Sequence, residues 1–201
     1  GKLFIAPFDD AHVIAGQGTV ALEFLEDVPD LDAMIVPIGG GGLMAGCAVA
    51  AHAHDQRIEM VGAQAGLFNS MAAAIAGKPF SGGGTTIAEG IAVKVPGDLT
   101  QPIIAEHVSD ITELSEEQLE AAVLLLAEGH RIVAEGAGAS GVAALLAAGG
   151  KFAGKKVGIV VSGGNIDSRL LSNVLLRGLV RGGRMVSLRI KMTDKPGMLS
   201  E

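Results

Sequence analysis

Tryptophan and tyrosine are missing from this 201-residue chain, and six phenylalanines bring the aromatic share to only 3%. Without aromatic faces the chain cannot build the stacking platforms on which single-stranded nucleic acids lie. Positive charge is also scarce: 15 Lys and Arg against 22 Asp and Glu leave a formal charge of −7 and a pI near 5.2. That balance excludes a broad nucleic-acid or anionic-membrane surface. A single cysteine, Cys47, excludes a disulfide framework and a thiolate metal cluster, and suits the cytoplasm. The histidines do not group as ligands, since His52 and His54 project roughly 200° apart on a helix at about 100° per residue.

Long apolar runs are lacking too. The longest stretch free of Asp, Glu, Lys and Arg, residues 33–54, is broken by Pro37, five glycines and two histidines, so it does not supply the roughly 20 apolar residues a spanning helix needs. The opening GKLFIAPFDD has two acids after a very short apolar run, which is not a secretory signal. A soluble protein is expected.

Apolar residues and glycine are what the chain has in quantity. Apolar residues make up 49%, charged residues 18%, and mean hydropathy is +0.45, which excludes a disordered tail or linker. Glycine occurs 30 times, about twice its average usage, with no fixed period. Three apolar runs of strand length, at residues 33–38, 58–63 and 156–161, carry no alternation, as strands buried on both faces do. Residues 108–114 read as a further strand. Helical patterns stand between them, at 19–26, 43–54, 68–76, 139–148 and 166–176. Another begins at Ser115, where Ser115-x-x-Gln118 forms a capping box and Leu119, Ala122, Val123 and Leu126 follow the helical stripe; Gly129 suits its far end. Strands alternating with helices predict an α/β protein, a mostly parallel sheet with helices on both faces.

The C-terminal stretch breaks this pattern. Residues 184–192 alternate apolar and polar, as a half-exposed antiparallel strand would, and a turn follows at Thr193-Asp194-Lys195-Pro196-Gly197. Three parts are therefore expected: 1–176, a linker at 177–183, and the opening of a second domain over 184–201.

Three glycine-rich junctions fall where strands give way to helices. In the first, Gly39, Gly40, Gly41 and Gly42 run directly into Leu43. Clustered N–H groups without side chains, at the positive end of a helix dipole, form an anion cradle suited to phosphate. The plainer alternative is a tight strand-to-helix turn. Gly40-x-Gly42-x-x-Ala45 also matches the dinucleotide fingerprint, but the acid expected about 20 positions on, at the end of the next strand, is missing. The second junction carries Ser162-Gly163-Gly164-Asn165, where Ser162 offers a neutral hydroxyl to a ligand or caps a helix. The third brings Glu135 to the same sheet edge ahead of Gly136. One small phosphorylated cofactor accounts for all three better than independent turns do.

These segments resemble a known family, the fold-type II pyridoxal-phosphate enzymes of the tryptophan-synthase-β-like fold, and within it the threonine/serine dehydratases. The resemblance rests on PFDD and IAGQGT (Pro7–Asp10 and Ile14–Thr19), GGGGL (Gly39–Leu43), TTIAEGIAVKVPG (Thr85–Gly97), EGAGA (Glu135–Ala139) and SGGNID (Ser162–Asp167). They occur in family order across roughly residues 1–175. The resemblance implies that Gly39, Gly40, Gly41, Gly42 and Leu43 hold the phosphate of pyridoxal 5′-phosphate. Ser162, with Gly163 and Glu135 beside it, would meet the ring nitrogen. The implied activity is conversion of threonine or serine to a 2-oxo acid and ammonia, in a cytoplasmic homo-oligomer. A serine or other amino-acid racemase of the same fold is the alternative, and a non-catalytic amino-acid-sensing module another. Residues 184–201 look like the first strand and turn of an ACT regulatory domain, with Asp194-x-Pro196-Gly197-x-Leu199 as the turn.

Two departures from the family pattern stand out. The lysine that would carry the cofactor belongs to a Ser-Phe-Lys-x-Arg-Gly-like segment that these residues do not contain, so no catalytic residue is assigned and the chain alone is expected to be inactive. It reads as the second half of a catalytic region, broken again inside the ACT domain. The other departure concerns a cation site of some relatives, whose three positions hold Gln64, Phe68 and Ser70 here. A neutral amide weakens a divalent site and leaves a monovalent one as the remaining candidate.

Overall fold

The structure is a computed structural model that describes residues 4–186, 188 and 189. Of the strand expected over 184–192, residues 187 and 190–192 lie outside those residues, as does the whole turn after it, and the described part is not in a strand. Four strands form one sheet: β1 (Ala33–Pro37), β2 (Glu59–Ala65), β3 (Asp110–Leu114) and β4 (Val157–Ile159). All pairings are parallel and the order is β3-β2-β1-β4, with Ala33 opposite Glu59 on one side and Val157 on the other.

Alternation along β1 divides the core in two. Met34 and Val36 pack with Met60 against α1 (Ala11–Asp27), α2 (Gly42–His54), Met71 of α3 (Ser70–Ile75) and Ile104 of α4 (Thr100–His107). Ala33 and Ile35 pack with Val61 and Ala63 on the opposite face. There they meet α5 (Glu116–Leu125), α6 (Gly136–Ala147) and Val174 of α7 (Ser168–Arg181). Helices thus cover both faces, as the apolar runs predict. No described helix is long and apolar enough to cross a membrane.

The connections set where a ligand can enter. From β1 to β3 the chain steps outward with its helices on one face, then returns across the sheet to place β4 on the other side of β1. The order reverses between β1 and β4, and the carboxyl ends of strands flanking such a reversal leave a crevice.

Several elements depart from the sequence pattern for identifiable reasons. α1 begins at Ala11, eight residues earlier than expected, because Asp10 caps it by accepting from His12 N at 2.8 Å and Val13 N at 3.2 Å. Of its two glycines, Gly18 is a packing residue: a Cβ there would lie 3.0 Å from Gly46 O of α2, and one on Gly46 would lie 2.2 Å from Ile14 O and 2.6 Å from Gly18 N. α4 lies where the sequence pattern gives no helix; Pro102 is in its first turn, where its missing N–H has no partner to lose. α5 keeps its capping box but runs on as a π turn over Leu126–His130, ending at Arg131 in the left-handed region (φ 59°) and not at Gly129. α7 continues to Arg181, through most of the expected linker, because Arg177 and Arg181 both pair with the buried Glu120 of α5.

Candidate functional site

At the carboxyl end of β1 the chain leaves the sheet through Ile38 and four glycines into α2. Gly41 takes φ 99°, a conformation L side chains rarely adopt. A Cβ there would also stand 2.8 Å from each of Ile104 Cδ1, Met71 Cε and Thr100 Oγ1. The Gly40 carbonyl is tied inward, accepting from Thr100 Oγ1 at 2.6 Å and Gly97 N at 3.3 Å. The N–H groups of Gly39, Gly40, Gly41, Gly42 and Leu43 find no acceptor among the described residues. Five successive donors at the positive end of a 13-residue helix make an anion site.

These residues form one wall of a pocket of about 330 Å³, whose other walls include Phe8, Gln17, Gly90, Glu135 and Ser162. Ser162 does not cap a helix, because α7 is capped by Asp167, which accepts from Arg169 N and Leu170 N. Its hydroxyl has no partner among the described residues. Glu135 precedes α6 yet makes no capping bond with its side chain. Its backbone N donates to Gly163 O at 3.1 Å, and its carboxylate lies against the Gly163 Cα. The fold therefore brings Gly39–Leu43, Glu135 and Ser162 into one pocket, with Gly163 against Glu135.

Gln64, Phe68 and Ser70 lie to one side of it. Gln64 is fully buried; its Oε1 accepts from Ala72 N at 3.1 Å, and its amide nitrogen has no acceptor among the described residues. Ser70 Oγ donates to Val93 O at 2.6 Å, and Val93 lines the pocket. Glu89 is exposed in a short turn at Glu89–Ile91. No described lysine lines the pocket. Lys155 and Lys156 sit at the opposite sheet edge, paired with Glu59 and Asp30.

Sequence reasoning missed Phe8, Gln17 and Thr100. Phe8 packs its ring on Gly40, where a Cβ would approach it to 2.4 Å. The PFDD and IAGQGT strings were visible signals, but nothing local says that they face a loop some thirty residues downstream.

A doubly wound parallel sheet with a run of backbone amides at its reversal point is the arrangement in which α/β proteins take up phosphate-bearing cofactors. The particular family is also shown: residues 1–163 match the family model described as pyridoxal-phosphate dependent enzyme, and the chain belongs to that family. The L-threonine ammonia-lyase of Thermotoga maritima is 44% identical over 211 residues, covering all of this chain and 50% of that protein. The solved serine racemase of maize is 36% identical with a TM-score of 0.77, over 86% of this chain and 55% of that one. The processed threonine deaminase isoform 2 of Solanum lycopersicum is 29% identical with a TM-score of 0.78, over 85% and 48%. The chain spans about half the length of the curated relatives it matches.

Proposed function

We propose that this chain is the cofactor-holding half of a pyridoxal-phosphate-dependent threonine dehydratase, which converts threonine to 2-oxobutanoate and ammonia. The observation that carries the reading is the run of five N–H groups, unpaired among the described residues, in a pocket also lined by Ser162, whose hydroxyl has no partner among the described residues. That donor set fits the cofactor: the amides of Gly39 to Leu43 suit a phosphate dianion, and no cation is needed beside them. When bound, pyridoxal phosphate supplies an aldehyde for an amino group and a ring that takes up electrons as the α-proton leaves.

The protein groups decide how far that electron uptake goes. Ser162 can donate to or accept from a ring nitrogen but carries no charge, so it does not force that nitrogen to stay protonated. Such restraint favours a reaction in which the β-hydroxyl leaves with the electrons. Gly41, fixed in the left-handed region, keeps the cradle free of side chains. Phe8 packs on Gly40 and shields that side of the cradle from water.

The similarity to maize serine racemase supports one alternative, racemisation of serine, on the same cradle. Serine as a dehydration substrate is open on the same grounds. The TDKPGML string supports an ACT domain beginning near residue 184. A groove of about 660 Å³ rimmed by exposed Leu22, Val49 and Leu99 supports assembly into a homo-oligomer. The test is to incubate the full-length protein with L-threonine and with L-serine and quantify 2-oxo acid and D-amino acid. 2-Oxobutanoate as the main product supports the dehydratase. D-serine as the main product would replace it with the racemase.

A further inference from the structure

Four of the cradle's five residues have no side chain, so something else must hold their amides in one direction. We infer that Thr100 is the positioning residue that does so, an inference that rests on the phosphate reading above and deepens it. Thr100 opens α4 and is fully buried. Its hydroxyl donates to Gly40 O at 2.6 Å and lies 3.4 Å from Gly97 O in its own turn. Helical threonines commonly turn their hydroxyl back to a carbonyl of the preceding turn. This one makes its short bond to a loop sixty residues away.

The consequence follows from peptide planarity. In a trans peptide the C=O and N–H point in opposite directions. Anchoring the Gly40 carbonyl inward on Thr100 therefore turns the Gly41 N–H outward, on the pocket side. The Gly97 N–H bonds the same carbonyl at 3.3 Å, so the peptide is held from two directions. Left to itself, a Gly-Gly peptide flips readily, because neither residue has a Cβ to bar positive φ. A flipped Gly40–Gly41 peptide would present a carbonyl oxygen to the phosphate in place of a donor.

Asp9 supports Thr100 from behind. Its carboxylate accepts from Asp98 N, Leu99 N and Thr100 N, at 3.0, 2.8 and 3.4 Å, and so sets the depth at which α4 begins. A line of bonds runs from Asp9 through the first turn of α4 to the Gly40 carbonyl.

The test uses the full-length protein stripped of cofactor, with Thr100→Val, Thr100→Ala and Thr100→Ser, titrated calorimetrically with pyridoxal 5′-phosphate, inorganic phosphate and pyridoxal. Val and Ala should each weaken pyridoxal phosphate and inorganic phosphate about tenfold, the scale of one lost and one misdirected hydrogen bond. Ser should bind both as the wild type does, and pyridoxal, which has no phosphate, should bind alike in all four proteins. Ala leaves room where Val crowds, so a folding failure of Val leaves the comparison intact. Equal phosphate affinity in wild type and Ala overturns the role of Thr100, and so does an equal loss for pyridoxal, which marks general damage. A wild type that binds neither phosphate compound overturns the cradle itself.

Discussion

Asp9 and Leu99 are ninety residues apart in sequence, yet the Asp9 carboxylate accepts the Leu99 N–H at 2.8 Å. The opening segment thus caps α4 from outside, and α4 in turn braces the glycine loop. Replacing Asp9 with Ala should cost about 0.5–2 kcal/mol, the range for a lost N-cap. Asn, which keeps one acceptor oxygen, should cost less. Urea unfolding midpoints of the two variants check the order; equal losses would show that the cap is not what the carboxylate contributes.

The crossing of α1 and α2 permits no side chain at Gly46. Gly46→Ala puts a methyl within 2.2 Å of the Ile14 carbonyl, and the helices must separate. Overpacking of this kind costs about 1–3 kcal/mol. Thermal denaturation should show a clearly lowered Tm, whereas Gly16→Ala, which meets nothing within 4 Å, should leave it level or raise it.

Cys47 is buried on α2 next to that crossing, and its thiol lies 3.7 Å from Gln17 O. Burial pushes the Cys47 thiol up to about 12, so almost no thiolate exists near neutrality. A disulfide reagent at pH 8 should label it only after denaturant is added. Rapid labelling of the native protein would contradict the helix packing.

Glu120 supplies a pH dependence with a definite sign. Burial pushes its carboxyl up, but the Arg177 and Arg181 guanidiniums bonded to it outweigh that and hold it below its ordinary 4.5. The native state therefore favours the ionised form, and its stabilising effect is full above the ordinary value and lost as pH falls through the lowered one. The gap in urea midpoint between wild type and Glu120→Gln should be wide at pH 7 and narrow progressively as the pH is taken below the ordinary 4.5. A constant gap would mean that charge plays no part in joining α5 to α7.

β1 and β2 were legible because they are buried on both faces and fall within a residue or two of their expected places, and the capping box at Ser115 marks the start of α5. The site was legible wherever glycine clusters at a strand end, so Gly39–Leu43, Glu135 and Ser162 meet in one pocket. What local pattern could not show depends on distant partners. α4 has its cap from Asp9, Gly16 and Gly18 hid the first turns of α1, and α7 reaches Arg181 only because Glu120 waits across the interface.

The proposed function depends on the amides of Gly39 to Leu43 holding the phosphate of pyridoxal phosphate. The direct measurement is the affinity of the full-length protein for pyridoxal 5′-phosphate, by equilibrium dialysis, with and without Gly41→Val. That substitution forces a β-branched residue into φ 99° and fills the space before Ile104, Met71 and Thr100. Tight binding is expected of the wild type, and none of a variant that still gives the wild-type circular dichroism spectrum. Unchanged affinity in the folded variant would contradict it.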